Sequence, residues 1–194
     1  LGLLLKQTGG MVAASFNCAI TVLGDRLGLY RALGEVGPST SSELASHLQL
    51  HERWVREWLH QQTCIGQLEY DGDHGKFAIS PEAYAVLADE DHPAYLMGGF
   101  DSALAVFPAV SKLEESFRTG IGMSYDEHGL NCACGIERMG AFTKKHRLVG
   151  EMIPQLPGMH DRLVDGAMVA DVGCGGGLAT ITLAHAYPAT TFVG

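Results

Sequence analysis

The spacing of apolar residues predicts a long helix near the start of the chain. Within residues 11–33, apolar side chains recur at steps of three and four on one face: Ala13, Phe16, Ile20 and Leu23. The opposite face is also largely apolar, with Met11, Cys18 and Val22. A helix that is apolar nearly all round must be buried, so we expect it to pack against the chain's own core or against a second subunit.

Two shorter helices are predicted over residues 39–65. Thr40 and Glu43 have the spacing of a capping box, in which the hydroxyl and the carboxylate each accept a hydrogen bond from an unpaired backbone N–H. A break near Leu50 separates this helix from the next. The second helix has apolar positions at steps of three and four, and Gly66 can end it in the left-handed conformation.

A β-hairpin and a further helix follow. Residues 67–70 and 76–79 are short strand candidates joined by a turn rich in Asp and Gly. Ser80 and Pro81 then supply an N-cap and a first-turn proline for a helix that runs to about Ala88. Helix, turn, helix and hairpin in this order indicate a winged helix, which we assign to residues 1–92.

The middle of the chain, residues 93–165, is predicted to be a helical connector. It contains two apolar helical stretches separated by a polar, glycine-rich loop over residues 118–135, and loops of this composition often line binding sites. Pro154 and Pro157 end the connector's second helix.

Residues 166–194 change to an alternating strand and helix pattern. Residues 168–172 and 191–193 are strand candidates, and residues 178–186 form a helix between them. Ligands in parallel sheets bind at the carboxyl ends of the strands, which is where the turn ADVGCGGG at 170–177 lies. The predicted fold class is therefore mainly α, followed by the start of an α/β Rossmann-like domain.

Spacing in this turn separates three classes of ligand. A nucleoside triphosphate loop requires a lysine directly after its last glycine, and none follows Gly177. A dinucleotide fingerprint requires Gly or Ala where this chain has Leu178, whose side chain disfavours the close packing that the third glycine permits. Both phosphate-bearing classes are thereby disfavoured.

The remaining pattern, Asp171-x-Gly173-x-Gly175-x-Gly177, resembles the first motif of the class I S-adenosylmethionine-dependent methyltransferases. The resemblance implies that S-adenosyl-L-methionine is the cofactor and that Gly173 and Gly175 let the backbone approach its methionine and ribose portions. Cys174 contributes its backbone. Asp171 holds the loop or, through water, the ammonium group of the cofactor.

A winged helix followed by a helical connector and this motif resembles bacterial small-molecule methyltransferases that are sometimes labelled transcriptional regulators. The resemblance implies a homodimer formed through the N-terminal helices and a connector that roofs the acceptor site. It also implies an acidic ribose-binding residue just after Gly194. We expect the 194-residue sequence to be a fragment that is inactive alone, because a class I domain needs further strands.

Methyl transfer from a sulfonium is a direct displacement, so no nucleophilic side chain is required. Tyr125 and His128 in the glycine-rich loop are candidates for the acceptor pocket, although a solvated loop histidine is the alternative for His128. The sequence identifies neither the general base nor the acceptor. Cys132 and Cys134 lack a second ligand pair at metal spacing, and no metal is expected.

The net charge and the cysteine content indicate which partners and which cellular compartment suit the protein. The net charge of −9 disfavours nucleic acid and anionic membranes. Residues 24–91 hold five Arg and Lys against twelve Asp and Glu, yet a winged-helix DNA-binding regulator remains the alternative function. Five unpaired cysteines favour the cytoplasm. The apolar run at 11–23 is too short to span a bilayer, and it lacks the flanks of a signal peptide.

Overall fold

The computed structural model describes all 194 residues as nine α-helices and four short strands. The helices are α1 (Gly2–Arg26), α2 (Leu29–Val36), α3 (Ser41–Leu48), α4 (Glu52–Cys64), α5 (Pro81–Leu87), α6 (Met97–Thr119), α7 (Gly129–Phe142), α8 (Met159–Asp165) and α9 (Leu178–Ala186). The strands are β1 (Glu69–Asp71), β2 (Lys76–Ala78), β3 (Met168–Ala170) and β4 (Thr191–Val193). A π-helical segment, Thr143–Met152, continues α7. The predicted fold class is confirmed.

The winged helix is present as predicted. Strands β1 and β2 pair antiparallel, and Ser39, between α2 and α3, adds a bridge to Phe77 of β2. Both predicted caps are formed: Thr40 and Glu43 make a capping box on α3, and Ser80 caps α5 by accepting the Ala83 N–H at 3.1 Å. Short-range hydrogen bonds therefore fix where these helices begin.

Fifteen buried side chains form the main core: thirteen belong to this domain, and Tyr95 and Met97 come from the connector. Tyr30 of α2 and Trp58 of α4 meet edge to face with ring centroids 4.9 Å apart, a favoured aromatic geometry. The indole N–H of Trp58 donates to the Ile20 carbonyl at 3.0 Å, which ties α4 to α1. Packing and several hydrogen bonds, among them one from Gln61 to the Asn17 side chain at 2.8 Å, thus join the second half of α1 to the domain.

The prediction for the first helix is only partly correct. A break at Leu27 and Gly28 divides residues 11–33 into α1 and α2, because Gly28 adopts a left-handed conformation with φ of 73°. Packing against the chain's own core is wrong for the first half of α1: Met11 is 75% exposed and Phe16 is 70% exposed. This half extends beyond the domain, and burial begins at Cys18.

The glycine-rich loop predicted over residues 118–135 is shorter than expected. Residues Tyr125–His128 form one 3-10 turn capped by Ser124, and α7 begins at Gly129. The second part of the predicted loop is therefore helical. The helical conformation is favoured there because small residues such as Gly135 let α7 pack closely against α6.

That close packing depends on two glycines. Gly98 of α6 and Gly135 of α7 face each other at the crossing. A β-carbon added at Gly135 would fall 2.6 Å from the Gly98 carbonyl oxygen and 2.7 Å from the Ser102 nitrogen. No side chain larger than hydrogen fits there without separating the helices.

Substituting this glycine is expected to destabilise the protein. Gly135→Ala should lower the free energy of unfolding by about 1–3 kcal/mol, because the added methyl group overpacks the helix crossing. Gly150→Ala is the matched control, since nothing lies within 4 Å of its β-carbon and Ala favours a helix over Gly. Chemical denaturation measures both variants; equal stability of the two would contradict the account of the crossing.

A charge cluster centred on Arg138 of α7 joins the connector to the winged helix. The guanidinium donates to Asp25 of α1 at 2.8 and 3.1 Å, to Asp101 of α6 at 2.6 Å and to Glu90 at 3.0 Å. It also contacts the Tyr95 hydroxyl. Asp25 and Asp101 are buried, so one cation compensates two carboxylates that have little access to water.

Arg138 is held in its charged form by these partners. Burial lowers the pKa of the guanidinium, but hydrogen bonding and the negative charge of Asp25 outweigh burial and raise the pKa above its ordinary value. Arg26 assists by donating to the second Asp101 oxygen at 3.3 Å. The cluster therefore fixes the position of α7 relative to α1 and α6.

Removing the central cation is expected to be costly. Arg138→Met retains the length of the side chain but leaves Asp25 and Asp101 short of a cation, and the free energy of unfolding should fall by about 3 kcal/mol or more. Arg118→Met is the control, because Arg118 is exposed and its pairs with Glu114 and Glu115 lie in solvent. Thermal unfolding of both variants measures the difference. A comparable loss of stability in each would contradict the role of the charge cluster centred on Arg138.

The strand–helix–strand unit is confirmed. Strands β3 and β4 pair in parallel with Met168 opposite Thr191, and α9 connects them. Tyr187 of this unit packs with Ile153 and Leu163, at the end of the connector, in a small apolar cluster. This packing places the turn between β3 and α9 next to α7.

Candidate functional site

The turn between β3 and α9 has the backbone that its glycines predict. Gly173, Gly175 and Gly177 have φ of 81°, 60° and 81°, a region that residues with a β-carbon rarely adopt. Nothing lies within 4 Å of a β-carbon built at Gly173, so the backbone there is open to an approaching ligand. A substitution at any of the three would strain the turn.

Asp171 anchors the start of the turn. Its backbone N–H donates to the Val193 carbonyl of β4 at 2.8 Å, and its carboxylate accepts the Thr180 hydroxyl of α9 at 2.6 Å. The side chain of Cys174 lies near Gly194, where an added β-carbon would fall 3.0 Å from Sγ. These contacts connect the loop to β4 and α9, and the cofactor-binding roles of Asp171 and Cys174 stay predictions.

A residue that the sequence pattern does not single out contacts this turn. Glu137 of α7 accepts the backbone N–H of Leu178, the first residue of α9, at 2.9 Å. A β-carbon at Gly176 would lie 3.2 Å from the Glu137 carboxylate carbon, so the absence of a side chain at Gly176 makes room for it. Lys144 forms an ion pair with the same carboxylate. The only available signal was the Glu–Lys spacing of seven residues, which does not specify a partner.

Tyr125 and His128 lie together on the 3-10 turn between α6 and α7, with ring centroids 6.4 Å apart. Tyr125 is 56% exposed. Neither side chain forms a hydrogen bond to the glycine turn. Their assignment to an acceptor pocket stays a prediction.

Two features of the winged helix bear on DNA binding. Arg56 on α4 lies 3.7 Å from the Glu52 carboxylate, and the tip of the hairpin carries Asp71, which binds His74 at 2.7 Å. Phosphate contacts require unpaired cations on the helix or on the wing. Arg53 of α4 and Lys76 of β2 form no ion pair, but Glu52 and Glu57 beside Arg53 and the acidic tip weaken the attraction of this surface for phosphates.

Comparison with protein families identifies the N-terminal domain. Residues 15–89 match the family model described as the Rv2258c-like winged HTH domain. The N-terminal domain is therefore similar to winged helices of this family. The match agrees with α2–α4 and the β1–β2 hairpin, and it ends close to the predicted boundary at residue 92. A search of curated proteins finds no match.

Solved structures extend the similarity to nearly the whole chain. The mitomycin 7-O-methyltransferase MmcR is 17% identical with a TM-score of 0.64, and the alignment covers 98% of this chain and 57% of MmcR. A putative O-methyltransferase from Nostoc punctiforme is 18% identical with a TM-score of 0.64, over 97% of this chain and 55% of that one. PigF, solved with SAH, is 15% identical with a TM-score of 0.62, over 97% and 58%.

These comparisons show which fold the chain shares. It has the arrangement of winged helix, helical connector and first βαβ unit that makes up just over half of each of these structures. None of its helices has the length and apolar character needed to cross a bilayer.

Proposed function

We propose that the natural protein transfers a methyl group from S-adenosyl-L-methionine to a small-molecule acceptor by direct displacement. The observation that carries the proposal is the turn from Asp171 to Gly177, whose three glycines all have positive φ at the carboxyl end of a parallel strand. Similarity to methyltransferase structures, one of them solved with SAH, supports it. The βαβ unit is then the start of a Rossmann-like domain.

The turn suits this cofactor chemically. Gly173 presents backbone without a neighbouring side chain, which allows close approach of a nucleoside that has no phosphate to bind. The bound cofactor supplies an electrophilic methyl group on its sulfonium. The residues proposed to hold it are Asp171, Gly173, Cys174, Gly175 and Gly177. Their task is alignment of the methyl group with the acceptor rather than nucleophilic attack.

We further propose the division into residues 1–92, 93–165 and 166–194 as dimerisation domain, connector and cofactor domain. In this division the connector covers the acceptor site, with Tyr125 and His128 lining it. The five cysteines are free thiols, which accords with a reducing cytoplasm. DNA regulation is the weaker candidate, because residues 24–91 hold five Arg and Lys against twelve Asp and Glu and the wing tip is acidic.

Cofactor binding tests this proposal in the natural full-length protein. S-adenosylhomocysteine should bind in a calorimetric titration, and Gly175→Val should abolish binding because a β-branched residue is strained at φ of 60°. Gly120→Val is the control: Gly120 also has a positive φ, 74°, but lies in the loop after α6. Unchanged binding by Gly175→Val, or equal loss in both variants, would refute the site.

The exposed half of α1 supports the proposal of a homodimer through the N-terminal helices. Large apolar side chains there are exposed in the single chain: Leu3, Leu4, Leu5, Met11, Val12 and Phe16. A cavity of about 290 Å³ between α1, α2 and α4 adds a further apolar surface, lined in part by Trp54 and Trp58. The occupant that fits this face is a second copy of the chain, because a two-fold contact places the apolar face against itself. Such a contact needs no opposite charge on the partner, which a second copy with a net charge of −9 could not supply.

Sedimentation velocity tests the dimer. The wild-type protein should sediment as a dimer, and Phe16→Asp should shift it to a monomer because a carboxylate is introduced into the apolar contact. Ser46→Asp adds the same charge at an exposed polar position of α3, outside the apolar half of α1, and should remain dimeric. A monomeric wild-type protein, or a dimeric Phe16→Asp, would exclude this interface.

A further inference from the structure

The start of α9 is capped by a residue from a different part of the chain. Helix α9 has no side-chain cap of its own, because its N-cap is Gly177. The first N–H groups of a helix lack partners within the helix. Glu137, 41 residues earlier, supplies a carboxylate oxygen to the first of them, the N–H of Leu178, at 2.9 Å.

The same carboxylate lies along the glycine turn. A β-carbon at Gly176 would be 3.2 Å from Glu137 Oε1, and one at Gly175 would be 3.7 Å from Oε2. The side chain of Glu137 is only 21% exposed. It therefore fills the space beside the turn at the start of α9.

Lys144, in the π-helical segment that continues α7, orients Glu137. It lies two turns further along and folds back to form an ion pair with the carboxylate. Its path crosses Gly140, where an added β-carbon would be 3.1 Å from Lys144 Cε. The glycine thus leaves the surface of α7 open for the lysine side chain.

Arg138 sets the direction in which Glu137 points. Adjacent helical residues project about 100° apart, so fixing one side chain fixes the direction of the next. Arg138 is held by Asp25 of α1 and Asp101 of α6. Through two neighbouring residues, α7 therefore connects the winged helix to the glycine turn.

We propose that Glu137 is a positioning residue that holds the glycine turn in its ligand-binding shape and occupies the place where a dinucleotide's pyrophosphate would bind. In dinucleotide folds the helix N-terminus after this turn binds the pyrophosphate. Here a carboxylate of the protein already accepts the hydrogen bond there. The inference rests on the proposed function, since it names the residue that prepares the same cofactor turn.

Two conservative variants separate hydrogen bonding from charge. Glu137→Gln keeps the reach and an acceptor oxygen but removes the negative charge. Glu137→Asp keeps the charge but is one methylene shorter. If the hydrogen bond to Leu178 positions the turn, Glu137→Asp should weaken S-adenosylhomocysteine binding about tenfold or more, and Glu137→Gln should remain within about threefold of wild type.

Amide hydrogen exchange provides a readout that does not need the ligand. In the ligand-free full-length protein, peptides spanning residues 173–181 should exchange faster in Glu137→Asp than in wild type, and Glu137→Gln should restore the wild-type rate. Glu151→Asp is the matched control, because Glu151 forms an exposed ion pair with Arg147 in the π-helical segment that continues α7. The control should change neither exchange nor binding.

The outcomes distinguish the inference from the proposed function. Wild-type binding of S-adenosylhomocysteine with unchanged binding and exchange in Glu137→Asp would overturn the role of Glu137 alone. Glu137→Gln as impaired as Glu137→Asp would also overturn it, because a neutral acceptor with the full reach of glutamate would then not hold the turn. A wild-type protein that binds no S-adenosylhomocysteine would refute the proposed function, while exchange at residues 173–181 would still decide whether Glu137 holds the turn.

Discussion

The arrangement of this chain depends on one cation that compensates two buried carboxylates. Arg138 donates to Asp25 and to Asp101, and each acid comes from a different helix of the structure. Leaving either acid without the cation costs far more than an exposed ion pair would, so α1, α6 and α7 are held in a single relative position. The glycine contact between α6 and α7 brings the backbones close enough for this cluster to form.

The charge cluster centred on Arg138 also fixes the direction of the neighbouring residue on α7, Glu137. Glu137 is directed toward the turn after β3 and meets the first N–H of α9. The glycine turn is therefore shaped both by its own glycines and by a helix that is anchored in the winged-helix domain. In the proposed methyltransferase, this connection places the connector beside the reaction site, where it can cover a small acceptor.

Local signals made much of the fold predictable. The capping box at Thr40, the Ser80–Pro81 start and the alternating glycines of the turn each depend on residues within a few positions of one another, and all appear in the structure as predicted. The exposed half of α1 could not be predicted, because its apolar pattern does not distinguish a core from a partner. The role of Glu137 could not be predicted, because its partner, Leu178, lies 41 residues away. The contact also uses the backbone N–H of Leu178, which is present whatever the residue type.

A crystal structure of the natural full-length protein grown with S-adenosylhomocysteine, and in parallel with NADH or ATP, tests the central claim most directly. We expect density for S-adenosylhomocysteine along Gly173 and Gly175, with the Glu137 carboxylate still accepting the hydrogen bond of the Leu178 N–H. A nucleotide phosphate bound at the start of α9 with Glu137 displaced would contradict it, and so would an intact turn that binds none of the three ligands.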